Sequence, residues 1–172
     1  MNLRRAFLWC WVGGLVLFAI VIALGLPLVL TEVPGGILDH QAAATAAEVD
    51  RIQSAWRSAG LWNQAAIAMA GDLVFIGVYG IGCVLGGLWY FLSANRSLRP
   101  FGIIAMLAGS TFLLTDYAET ISQFTQLWHF EGDDELAGLA AMVRPVKVAA
   151  WIVATLAIVL AFLFERRARR SA

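Results

Sequence analysis

Five ionisable residues lie within segments of the chain that are otherwise apolar enough to cross a membrane: Asp72, Asp116, Glu119, Arg144 and Lys147. A charged side chain at bilayer depth costs a few kcal/mol even on the most lenient insertion scale, so such residues usually face a partner or a water-filled cavity. Carboxylates and amines in such a setting can pair, exchange protons or bind a charged solute. Their placement is therefore the main clue to function.

The spacing of the polar residues places them on helical stripes. Phe112, Asp116, Glu119, Gln123 and Gln126 follow one another in steps of four, three, four and three residues, which puts them on one face of a helix. Two other apolar segments carry matching stripes: Asp72, Phe75 and Tyr79 on one, and Arg144, Lys147 and Trp151 on the other.

We expect these three stripes to face one another. At a rise of ~1.5 Å per helical residue, the charged members lie roughly 3–12 Å below the outer end of their segments. Lys147 would then pair with Asp72 or Asp116, and Arg144 with Glu119 or with acids of the outer loops. The predicted ligand-binding residues are Asp72, Tyr79, Asp116, Glu119, Gln123, Arg144 and Lys147.

The composition is that of a membrane protein. Of the 172 residues, 60% are hydrophobic and 14% are charged, whereas soluble domains carry about 25% charged residues. Basic residues occur in short clusters beside apolar segments, which is a topology signal, so nucleic acid is not an expected partner and membrane lipids are. No cofactor is predicted.

Four apolar segments predict an all-α protein with a single membrane domain, an antiparallel bundle of four spanning helices. The spans cover about 7–30, 64–92, 101–122 and 139–164, each long enough for a hydrocarbon core of ~30 Å. The first is longer than the apolar core of a signal peptide and no A-x-A site follows it, so we interpret it as an uncleaved span.

Charges are divided between the two sides of these spans. One side holds Arg4, Arg5, Arg96, Arg99, Arg166, Arg167, Arg169 and Arg170. The other side holds Glu32, Asp39, Glu48, Asp50, Glu131, Asp133, Asp134 and Glu135, against Arg51 and Arg57. The positive-inside rule then predicts an integral protein of a cytoplasmic, bacterial-type inner membrane with both termini in the cytoplasm.

The loop between the first two spans predicts an extra amphipathic helix over about 45–59. Val49, Ile52, Trp56 and Ala59 recur at helical spacing. Thr45 with Glu48 fits a capping box before them, and Gly60 fits a C-terminal stop. We expect this helix to lie flat on the outer surface or to cover the bundle.

Other site chemistries are less well supported by the sequence. Asp116 and Glu119 could face one ion, but Arg144 and Lys147 would oppose it and no H-x-x-x-H spacing exists, so no metal is predicted. The two histidines are interpreted as solvated loop residues. Cys10 and Cys83 are not part of a C-x-x-C pair and are interpreted as structural thiols.

Small residues predict where helices approach closely. Gly82 and Gly86 form a small-xxx-small pair, expected to pack on the first span, where Gly13 and Gly14 could oppose it, or on a second subunit. A homodimer or membership of a larger membrane complex is compatible with this pattern.

Three functions remain open from the sequence. The first is binding or movement of a small polar solute, an ion or a lipid headgroup at the outer-facing acid and base cluster. The second is an accessory or scaffold subunit of a larger membrane complex, in which the cluster only fixes helix packing. The third is an intramembrane lipid-modifying enzyme with Asp116 or Glu119 as general acid–base, for which no nucleophile or cofactor motif is present.

Overall fold

The computed structural model describes residues 2–170. Of Arg169 it describes only the backbone, so the prediction that its side chain lies on the basic side falls outside the described residues. The described chain is helical: α1 Leu3–Gly25, α2 Ile37–Ala42, α3 Ala46–Ser58, α4 Trp62–Phe91, α5 Arg99–His129 and α6 Asp134–Arg170. Short 3₁₀ turns at Leu26–Leu28 and Arg96–Leu98 follow α1 and precede α5.

Four of the helices are long and apolar enough to span a membrane, those built on α1, α4, α5 and α6. Their bounds extend past the apolar segments that predicted them. The fourth helix begins at Asp134 rather than near residue 139, and the third continues to His129 rather than ending near residue 122. Polar turns continue these helices because a helix ends where its capping groups lie, and the apolar run marks only part of it.

The chain divides into two compact units that share the long helices. The first unit comprises Met1–Leu15, Gly77–Leu114 and Val146–Ala172, and the second comprises Val16–Ile76 and Thr115–Pro145. The predicted basic side falls in the first unit, and the predicted outer loops fall in the second.

Glycines set the packing of α4 in the first unit. A Cβ added at Gly82 would lie 2.6 Å from the backbone nitrogen of Trp11, and one at Gly86 would lie 2.6 Å from the ring of Phe7. The predicted glycine pair thus faces α1 within the same chain. On α1 itself, Gly14 lies against Tyr79, whereas Gly13 has nothing within 4 Å of its Cβ position.

In the second unit, α3 packs its apolar face on the protein. Val49, Ile52 and Trp56 are at most 1% exposed. They share a core with residues from the 3₁₀ turn after α1, from α4 and α5, and from the start of α6: Leu28, Ala65, Met69, Leu127 and Ala137. The indole nitrogen of Trp56 donates to the carbonyl of Leu28 at 2.9 Å, so the one polar atom of this large ring is paired. The predicted amphipathic helix therefore covers protein core.

The predicted caps of α3 hold with one difference. Thr45 Oγ1 accepts from the backbone nitrogen of Glu48 at 3.3 Å, while the Glu48 carboxylate accepts from the backbone of Ala44 rather than of Thr45. At the other end Gly60 adopts φ 72°, and Leu61 N donates to Trp56 O at 2.8 Å. This is a Schellman ending, in which the left-handed position favours glycine.

We call residues 29–60, which include α2 and α3, the cap, and residues 130–133 the α5–α6 connection. Asp50 Oδ1 accepts from the backbone nitrogen of Gly132 at 2.6 Å, and Asp134 Oδ1 accepts from that of Ala46 at 2.7 Å. These two hydrogen bonds fix the beginning of α3 to the connection and to the first residue of α6.

Candidate functional site

One face of α5 carries a buried run of polar side chains in the second unit. Each member is at most 5% exposed: Asp116, Glu119, Thr120, Ser122, Gln123 and Gln126. Buried polar groups carry a desolvation cost unless they are hydrogen-bonded, and buried carboxylates cost more. We call these six residues the α5 polar face. The predicted stripe of Asp116, Glu119 and Gln123 lies within it, and its acids point into the protein.

Asp72 lies half-buried on α4 and meets this face. The hydroxyl of Thr120 donates to Asp72 Oδ2 at 3.3 Å, and the hydroxyl of the nearby Tyr117 donates to the carbonyl of Leu73 at 3.2 Å. The carboxylate of Asp72 therefore contacts Thr120, the residue next to Glu119 in the chain.

Several members of the polar face are satisfied by their own helix or by the connection. Ser122 donates to the carbonyl of Ala118 at 2.7 Å. Gln126 Nε2 donates to the carbonyl of Ser122 at 3.2 Å, and its Oε1 accepts from Asp133 N at 3.0 Å. Gln123 differs, because its Nε2 is buried and has no hydrogen-bond partner among the described residues.

Two further predicted residues, Arg144 and Lys147, lie on α6. Arg144 is half-buried on α6 in the second unit, and Lys147 is 9% exposed on α6 in the first. The ion pairs expected of them with Asp72, Asp116 and Glu119 stay predictions.

Tyr79 belongs to an aromatic cluster of the first unit. Its hydroxyl lies 2.6 Å from Thr155 Oγ1. Its ring is perpendicular to that of Phe112 at 5.4 Å and lies 6.3 Å from that of Trp151. Stripe residues from α4, α5 and α6 thus meet at Tyr79, and its polar atom is shared with a hydroxyl of α6.

The interpretation of His40 as a solvated loop residue was wrong. Its side chain is fully buried, with the ring 5.2 Å from that of Trp56. Its Nε2 lies 3.2 Å from Gln53 Nε2, so that imidazole nitrogen carries no proton when the Gln53 amide donates to it. Burial without a compensating charge lowers the pKa of His40 to about 4.

Sequence reasoning missed this His40–Gln53 pair because both residue types are common in loops. The turn at Gly35 and Gly36, where Gly36 has φ 56°, folds the short α2 back over Trp56. The available signal was Gln53 itself, which lies one residue from Ile52 and three from Trp56, at the edge of the apolar face of α3.

The two free cysteines are not part of the site. Cys10 is half-buried and Cys83 is buried, and Cys83 lies against Gly109. Among the described residues, no three His, Cys, Asp or Glu side chains are grouped closely enough to hold a metal ion.

No family model matches the chain, and no curated protein or solved structure is significantly similar to it.

Proposed function

We propose that the chain is an integral membrane protein of four spans, with both termini in the cytoplasm, and that the α5 polar face binds a small polar solute, an ion or a lipid headgroup. The continuous burial of that face from Asp116 to Gln126 is the observation that carries the proposal.

The length and the exposed surface of the long helices support membrane insertion. The shortest candidate span has 26 residues, which is about 39 Å of helix against a hydrocarbon core of ~30 Å. In that span, which is built on α1, only 11% of its apolar 18-residue stretch is buried inside the protein. An apolar surface of this size is rare on soluble proteins and suits contact with lipid.

Charge segregation supports the orientation. Arginines at the start of α1, before α5 and at the end of α6 belong to the first unit, where Glu165 is the one acid among the described residues. The acidic segments of the cap and the α5–α6 connection belong to the second unit. Under the positive-inside rule the helix ends that carry these arginines face the cytoplasm, and the acidic segments face outward.

The composition of the α5 polar face favours a ligand with a positive charge or an ammonium group. Two buried carboxylates, Asp116 and Glu119, lie on it, and Asp72 adjoins it from α4. The unpartnered Nε2 of Gln123 offers a donor for an oxygen on the same ligand. Ionisable groups at membrane depth cost free energy, and where a protein keeps them they usually belong to a binding or transport site.

The test uses the full chain in lipid nanodiscs. A hydrophobic carbodiimide, which modifies protonated carboxyl groups, is applied and the labelled residues are read by mass spectrometry. Thermal unfolding is then measured with Na⁺, K⁺, Ca²⁺, ethanolamine or choline. We expect labelling at Asp116 or Glu119, protection from it by at least one of these cations, and a rise in Tm with that cation that Glu119→Gln abolishes.

Glu165→Gln is the matched control, because it removes an acid from the basic side. It is expected to keep both the protection and the rise in Tm. Absence of labelling together with identical Tm responses of the wild type and Glu119→Gln would overturn the proposal.

A scaffold role is the alternative, and the exposed surface of α1 favours it. Trp9, Val16 and Ile20 are 76%, 56% and 48% exposed, and a partner helix could cover them as lipid does. In that case Asp116→Asn and Glu119→Gln would lower stability or assembly without changing any ligand response. Co-purification as a stable monomer would count against this role.

A further inference from the structure

A cleft of about 310 Å³ opens on the surface of the second unit, between α3 and the α5–α6 connection. This volume lies at the lower end of the range for small-molecule sites. Six residues line it: Asp50, Gln53, Ser54, Arg57, Phe130 and Glu131. None of them belongs to the α5 polar face, so the cleft is independent of the function proposed above.

The two charged side chains of α3 that line the cleft are held in place. Asp50 Oδ1 accepts from Gly132 N at 2.6 Å, which leaves its second oxygen available. The guanidinium carbon of Arg57 lies 4.4 Å from the centre of the Phe130 ring. Phe130 in turn stacks on Trp62 at 5.1 Å with 22° between the ring planes. A carboxylate and a guanidinium are thus preorganised on one helix, which reduces the entropy lost on binding.

Gln53 adds a buried amide to the cleft. Its side chain is 3% exposed, its Nε2 faces His40, and its Oε1 has no hydrogen-bond partner among the described residues. A buried carbonyl oxygen without a donor is unfavourable, and a ligand that supplies an N–H or O–H would remove that penalty.

We propose that this cleft binds a small zwitterion, with its ammonium group at Asp50, Glu131 and the Gln53 carbonyl and its carboxylate at Arg57. Two acidic side chains and one guanidinium match a molecule that carries both charges. A divalent metal fits less well, because Arg57 opposes it and six or more oxygen ligands are required.

Binding is measured by titration calorimetry on the full chain in nanodiscs. The probes are unbranched ω-amino acids of two to five carbons and the small α-amino acids, each compared with the amine and the carboxylate of the same carbon skeleton. CaCl₂ is the metal probe. We expect at least one zwitterion to bind saturably and its single-charge analogues to bind about tenfold or more weakly.

Matched variants locate the site. Arg57→Gln and Glu131→Gln are expected to lower the affinity for that zwitterion by about tenfold or more. Arg51→Gln on the same helix and Glu135→Gln at the start of α6 remove equal charges outside the cleft and are expected to leave its affinity unchanged.

Three results would overturn the proposal: no saturable binding by any zwitterion, equal binding of the matching amine, or calcium binding that displaces the zwitterion. None of these would bear on the α5 polar face, whose carboxylates are tested by labelling and by Glu119→Gln. Failure of that test would likewise leave the cleft unaffected.

Discussion

His40 Nε2 lies 3.2 Å from the amide nitrogen of Gln53, and the two side chains are 0% and 3% exposed. The neutral imidazole of His40 on α2 thus connects this short helix to Gln53 on α3. Because burial opposes a charge on this ring and no charged partner is found for it among the described residues, its protonation would leave a buried charge without compensation.

Acid is therefore expected to destabilise the chain through His40. Burial lowers the pKa of His40 from 6.5 to about 4. Between these values the unfolded chain binds a proton that the folded chain does not, so stability falls as pH falls through this window. The full contribution is present above pH 6.5, and at most about 3 kcal/mol is lost by pH 4.

His40→Phe keeps a ring beside Trp56 and cannot titrate. Unfolding in mixed micelles between pH 8 and pH 4 should show a smaller loss of stability for this variant than for the wild type, whereas His129→Gln, at an exposed position, should follow the wild type. Parallel curves for the wild type and His40→Phe would contradict the assignment.

Gly82→Ala is expected to lower stability by about 1–3 kcal/mol. The new methyl group would lie 2.6 Å from Trp11 N and 2.8 Å from Trp11 Cα. Backbone atoms cannot move aside as a flexible side chain does, so α1 and α4 would have to separate.

Gly13→Ala is the control for this substitution. Its Cβ would meet nothing within 4 Å, and alanine has the higher helix propensity, so stability should be unchanged or higher by up to about 1 kcal/mol. Thermal unfolding of both variants is measured in the same detergent. Equal losses of stability would show that the close contact of Gly82 with Trp11 does not limit the packing of α1 on α4.

The sequence predicted the helices well because their signals are local. Long apolar segments identify α1, α4, α5 and α6, and the three- and four-residue spacing of Val49, Ile52 and Trp56 identifies α3. The same spacing predicted that Asp116 and Glu119 share a face, and both are buried.

Tertiary packing decided what the sequence could not. Helix ends depend on caps such as Phe130, a non-glycine residue at φ 55°, which carries no strong sequence signal. The burial of His40 depends on α2 folding over Trp56, and the cleft beside Gln53 depends on where the α5–α6 connection meets α3. No periodicity within one segment contains that information.

The hydrogen bond between Thr120 and Asp72 should contribute measurably to the packing of α4 on α5. At 3.3 Å it joins a buried hydroxyl to a half-buried carboxylate. Hydrogen bonds between membrane helices contribute about 0.6 kcal/mol on average and up to about 1.7 kcal/mol.

A double-mutant cycle isolates this pair, because Asp72 has other interactions that its removal also disrupts. Unfolding free energies of Asp72→Ala, Thr120→Val and the double variant should give a coupling of about 0.6–1.7 kcal/mol. Strictly additive losses would mean that the two side chains do not interact.

Gly132→Ala is expected to loosen the cap. The added methyl group would clash with the Ala46 backbone, lying 2.8 Å from its carbonyl carbon and closer still to its oxygen. Relief of that clash would move the connection away from α3 and break the hydrogen bonds of Gly132 N to Asp50 and of Ala46 N to Asp134. Hydrogen exchange should rise across residues 44–60, with a loss of stability of about 1–3 kcal/mol.

Gly138→Ala, whose Cβ position is open, should leave exchange in the cap unchanged because it lies within α6 and meets no neighbour. Equal exchange rates in the two variants would show that the cap is held by its apolar core on α3 and not by these contacts.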